Sequence, residues 1–165
     1  RIDLESEASE ALIQSVMEDA LNILRVTKIK PTRIVLYVAS EWKWKAHLKA
    51  LTVAGVKVDV SILIKTLLQD TSLKERAKEV SSFALKLAKD LPNIAPEVRE
   101  VRIKLGVLKE REILLSAAPF LSKELGAEIE VYREDDPLRY DPKNRAQLSQ
   151  AYRPGIYIES ELASP

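Results

Sequence analysis

The chain begins with a long stretch of helical spacing. Leu12, Val16, Ala20 and Ile23 form one apolar line, with Ile13, Met17, Leu21 and Leu24 beside it. This predicts a helix over residues 5–28, stopped by Lys30-Pro31, whose apolar face is wide enough to pack on two sides. Ile34–Ala39 is continuous and β-branched, which predicts a strand covered on both faces. Ser40 offers an N-cap for a helix running to about Ala54 and ended by Gly55. Asp59 caps a short helix through Leu68. Thr71 or Ser72 caps another, over about 73–91, ended by Pro92. Residues 95–107 fit either period and are read as a short helix or loop. A helix over about 108–125 contains Pro119, which should kink or divide it. Glu128–Tyr132 alternates as a strand with one wet face. Residues 134–154 form a long loop, a kind of segment that is often mobile or functional. Gly155–Glu159 is a last strand.

The pattern predicts an α/β (α+β) fold: about three strands with four to five helices, preceded by the long helix. The division expected is residues 1–30 as a helix from a neighbouring bundle, 31–160 as an α/β domain and 161–165 as a disordered tail. At 165 residues and 46% hydrophobic, such a domain can bury a core. Absence of cysteine excludes disulfides and thiolate metal sites and fits a reducing, cytoplasmic setting. No apolar run reaches the length of a membrane span. Because it opens on Arg1, the chain is read as a piece of something longer.

The net charge of +1 hides segregation. Residues 25–57 carry eight basic side chains (Arg25, Lys28, Lys30, Arg33, Lys43, Lys45, Lys49 and Lys57) against a single acid, Glu41. Helix-dipole complementarity accounts for Arg25 and Lys28, not for Lys43 to Lys57. The stretch SEWKWKAHLK (residues 40–49) holds both tryptophans and the one histidine. Helical spacing puts Trp44, Leu48 and Leu51 on a core face. Trp42, Lys45 and Lys49 lie on another, where lysines suit phosphate contact. A solvated face is the bland reading of the same pattern.

Catalytic signals are missing. Phosphate-loop, GxSxG, HExxH and GxGxxG motifs are absent, and four glycines are too few for a phosphate cradle. Asp135-Asp136 and Glu128/Glu130 are the one candidate cluster for a hard cation, more simply read as solvated acids. His47 is expected at a helix flank.

Three motifs in order, IVLYVASEWKWK (Ile34–Lys45), FLSKELGAEIEVY (Phe120–Tyr132) and RPGIYIE (Arg153–Glu159), resemble the C-terminal region of archaeal-type leucyl-tRNA synthetases. The resemblance implies a tRNA-binding domain that docks near the elbow and long variable arm of leucine tRNA. It also implies that helix 5–28 closes the anticodon-binding bundle. The parent would be an ATP- and Mg-dependent leucine–tRNA ligase, with no catalytic residue or cofactor in this segment. Its partners would be leucine tRNA and the rest of the synthetase chain. The RNA-binding candidates are Arg25, Lys28, Lys30, Arg33, Lys43, Lys45 and Lys49, with Tyr157 and Glu159 on the last strand. Two rival readings are a protein-interaction domain that docks through helix 5–28 and a small hydrolase.

Overall fold

The computed structural model describes residues 3–53 and 58–161. They form a three-stranded sheet with seven α-helices, in two compact units: Arg1–Ser40 with Leu108–Pro165, and Glu41–Val107. Gly55 and Lys57, read above as a helix stop and a candidate cation, lie outside the described residues.

In the first unit, α1 (Leu4–Thr27) starts at Asp3, whose carboxylate accepts from the backbone N–H of Glu5 at 3.1 Å and Ser6 at 3.2 Å. It ends at Lys28, which takes the left-handed conformation (φ 57°) and donates its N–H to Leu24 O at 2.8 Å. Leu12, Val16, Met17 and Ala20 are buried at helical spacing, and α1 packs on α7 (Glu110–Leu125). α7 stays one helix through Pro119. The carbonyl that proline leaves without a donor is that of Leu115, on the helix's exposed face, where water can replace the lost bond.

β1 (Pro31–Val38) is the central strand, in the order β2-β1-β3. It runs parallel to β2 (Glu128–Arg133) and antiparallel to β3 (Gly155–Ser160), so Leu36 faces Val131 on one side and Ile156 on the other. The strand starts earlier than the apolar run because Pro31 and Arg33 pair with Ser160 and Glu159. Residues 34–38 are all buried, as a run without polar alternation requires. A parallel pair needs a crossover, and α7, packed on β1 and β2, provides it.

The other face of β1 is covered by a loop. Val35 and Tyr37 pack with Ala146, Tyr132, Tyr140 and Tyr157. Residues 134–154 are anchored rather than loose. Glu134 Oε2 accepts from Ser40 N at 2.8 Å, and Glu110 Oε2 accepts from Tyr152 N at 3.0 Å. Asp141 accepts from the N–H groups of Arg145 (2.7 Å) and Ala146 (3.2 Å), and the Tyr37 hydroxyl donates to Tyr140 O. The buried Ser40 hydroxyl makes no hydrogen bond among the described residues, so the N-cap expected there is absent.

The second unit is helical: α2 (Glu41–Val53), α3 (Val60–Leu67), α4 (Thr71–Lys74), α5 (Ala77–Asp90), a 3-10 turn at Leu91–Asn93 and α6 (Pro96–Leu105). Ala46, Ala50, Leu51, Leu63, Leu67, Leu73, Val80, Phe83, Ala84, Leu87 and Leu91 make its core. Asp59 caps α3 as expected, through Ser61 N at 2.9 Å and Ile62 N at 3.3 Å. The helix expected over 73–91 is two. α4 is capped by Asp70, not by Thr71 or Ser72, and α5 starts afresh after Arg76. Residues 96–105 are helical. Val98 and Ile103 stay exposed and no residue of α6 is buried, which is why its apolar period was ambiguous in the sequence.

Candidate nucleic-acid interface

The tryptophan-bearing helix α2 divides its side chains differently from the charge pattern. Trp44 is 3% exposed, a core residue as its spacing implies. Half-buried Trp42 meets Phe83 edge-on with ring centroids 5.4 Å apart. Cations stand 5.8 Å from its ring centre: the Lys43 ammonium and the Arg76 guanidinium. Lys43 does not face outward. It is 5% exposed, with Nζ 5.6 Å from the Phe83 ring, so its aliphatic stem and charge are used inside the unit. His47 is buried too, not at the helix flank, and meets Trp44 edge-on at 6.1 Å. Burial, then the nearby Arg102 charge, pushes its pKa down to about 4.

Lys45 and Lys49 point to the start of α4. Lys45 Nζ donates to Ser72 Oγ at 2.8 Å and lies 3.5 Å from Asp70 Oδ2; Lys49 Nζ lies 3.9 Å from the same oxygen. Asp70 itself is held down to about 2, first by the Ser72 hydroxyl and backbone N–H bonds and then by Lys45. One carboxylate therefore caps α4 and ties α2 to it.

In the first unit, Arg25 hydrogen-bonds Asn22 one turn back, and Lys28 and Lys30 are exposed beyond the end of α1. Arg33 is engaged. Its Nε lies 2.6 Å from Glu130 Oε2, a second guanidinium nitrogen 3.6 Å from Glu159 Oε1, and its plane 4.3 Å from the Tyr140 ring centre. Glu159 accepts from the hydroxyls of Tyr140 and Tyr157, the latter at 3.0 Å, and the Tyr140 bond chiefly lowers its pKa. Tyr157 and Glu159 are thus half-buried members of a network across the sheet, not free outward groups. Burial raises the Tyr37 hydroxyl far above its ordinary value.

Beside this network lies an open cavity of about 300 Å³, between the end of α1 and β3. Ile23, Ile29, Ile156 and Ile158 give it apolar walls. Tyr157, Glu159, Lys143 and Arg145 give it polar ones. Lys143 and Arg145 were missed in the sequence: they sit in the polar KNRAQLSQ run, and only folding of the loop over β1 brings them to β3. The predicted cations are divided, Arg25, Lys28, Lys30 and Arg33 in the first unit and Lys43, Lys45 and Lys49 in the second. Among the described residues, no group of three or more His, Cys, Asp or Glu is placed to hold a metal. No described helix is long and apolar enough to cross a membrane.

The relatives of this chain are aminoacyl-tRNA synthetases. No protein-family model matches. The chain is 36% identical over 159 residues to the leucine–tRNA ligase of Methanosarcina acetivorans and 38% identical over 160 residues to that of Methanothrix thermoacetophila. Each match covers 96% of this chain and 16% of the relative. The Pyrococcus furiosus enzyme of the same name is 32% identical over 154 residues, 14% of its length. The chain is homologous to a C-terminal region of the archaeal leucine–tRNA ligases.

Proposed function

We propose that this chain is the tRNA-docking region of a leucine–tRNA ligase, which holds leucine tRNA while a distant catalytic domain attaches leucine. The cavity by β3 carries this reading. Its walls include Tyr157, Glu159, Lys143 and Arg145 together with isoleucines. A ring and apolar walls suit a splayed base, and the cations suit its phosphates. Arg25, Lys28 and Lys30 extend the positive charge at the end of α1. The parent enzyme would supply the ATP and Mg chemistry in the cytoplasm, and α1 would close its anticodon-binding bundle.

The test is binding of the 165-residue chain to leucine tRNA and to a version with a shortened variable arm, across a salt series. Salt-sensitive binding that weakens on shortening is expected; no binding, or equal binding to unrelated tRNA, overturns the proposal. A second reading, docking of α1 on a protein surface, is favoured by one observation. Leu21 is 47% and Val26 71% exposed on that helix. Association that persists in high salt and needs no RNA would select it.

A further inference from the structure

The two units differ in charge. Glu41–Val107 carries thirteen basic and eight acidic side chains, a net of +5, whereas the rest of the chain carries thirteen and seventeen, a net of −4. Of the cations that the sequence pattern singled out in the helical unit, Lys43 is buried and Lys45 and Lys49 are tied to Asp70. Others remain. Along α5, Lys78, Ser82, Leu85, Lys86 and Lys89 recur at spacings of three and four and are all exposed. The opposite face, Val80, Phe83, Ala84 and Leu87, is in the core. None of the three lysines makes an ion pair among the described residues. Of the acids on α5, Glu79 is turned to Arg76 at 3.4 Å, and Asp90, one turn beyond Lys86, makes no ion pair with it.

We infer that the outer face of α5, through Lys78, Lys86 and Lys89, is a second phosphate-contacting surface for the RNA. The inference rests on the tRNA-docking reading and adds the helical unit to it. From Lys78 to Lys89 the stripe runs about 16 Å at the α-helical rise. That is long enough to meet several backbone phosphates. Its chemistry fits a polyanion better than a protein partner. Protein interfaces favour aromatic and arginine anchors and are poor in lysine, whereas this face offers three compact ammonium groups around Leu85, which is 58% exposed. The apolar face of α5 is committed to the core, so the helix cannot insert into a lipid surface by it.

The experiment compares leucine-tRNA binding by the 165-residue chain, its Lys78→Gln/Lys86→Gln/Lys89→Gln variant and the matching triple Lys→Arg variant, each across a salt series and with a melting curve to show that the fold is kept. The Gln variant is expected to lose roughly tenfold or more in affinity at low salt. Its log–log salt slope should become shallower by about two to three, one increment per lost phosphate contact. The Arg variant should stay close to the parent. A Gln variant with unchanged affinity and slope overturns this inference alone. A parent chain that binds no tRNA overturns the docking proposal and this inference together.

Discussion

Arg33 Nε lies 2.6 Å from Glu130 Oε2, on the adjacent parallel strand where Arg33 is paired with Glu128 in the ladder. The pair is one arm of a bridge across the sheet, since the same guanidinium reaches Glu159 on β3 and stacks on Tyr140. A side chain so engaged joins three elements before it meets any ligand. Arg33→Met is therefore expected to lower the melting temperature of the first unit, while leaving the salt slope of tRNA binding unchanged. Thermal denaturation and a salt titration of the same variant check this. A shallower slope with an unchanged melting temperature would make Arg33 a phosphate contact instead.

His47 sets an acid limit on the helical unit. Its folded pKa of about 4 lies below the ordinary 6.5, so the unfolded chain binds the proton more tightly. The neutral side chain's contribution is complete above pH 6.5 and is lost as pH falls towards 4, a swing on the order of 3 kcal/mol. Denaturant midpoints of the helical unit should fall through that window. In His47→Gln the slope across it should largely vanish, whatever the variant's absolute stability.

Asp70 caps α4 and accepts Lys45 and Lys49. Asp70→Asn keeps the capping oxygen but removes the charge. A drop of a few degrees in melting temperature is expected, with a midpoint less sensitive to salt than the parent's. Equal salt sensitivity in both proteins would mean that the lysine contacts contribute nothing measurable.

Gly155 opens β3 where its backbone passes under the loop. A Cβ there would stand 2.8 Å from the Arg145 carbonyl oxygen and 3.5 Å from Ser149 N, both backbone atoms that cannot swing away. Gly155→Ala should destabilise the first unit by about 2 kcal/mol. It should also weaken tRNA binding more than an exposed control such as Ser116→Ala does, because Arg145 lines the cavity. Equilibrium unfolding and binding measured together decide it.

Much of the architecture was legible because it depends on local pattern. The unbroken apolar run at 34–39 announced a strand covered on both faces, and Asp59 announced the start of α3. What covers β1 was not legible. Tyr140 and Ala146 reach it through a loop whose anchors, Glu134 to Ser40 and Glu110 to Tyr152, span 94 and 42 positions. No periodicity encodes a contact of that range. The same limit governs the candidate site. Charge counting found Lys43, Lys45 and Lys49, but burial against Phe83 and pairing with Asp70 depend on helix packing. Lys143 and Arg145 gained a role only through the loop's path.

The parallel pairing of β1 with β2 obliges the chain to return to the same end of the sheet, and α7 by itself meets that obligation. Helices α2 to α6 are surplus to it: a guest module spliced into a connection that is complete without them. The hydrogen-bond register of the host sheet, set between β1, β2 and β3, draws on no residue of that module.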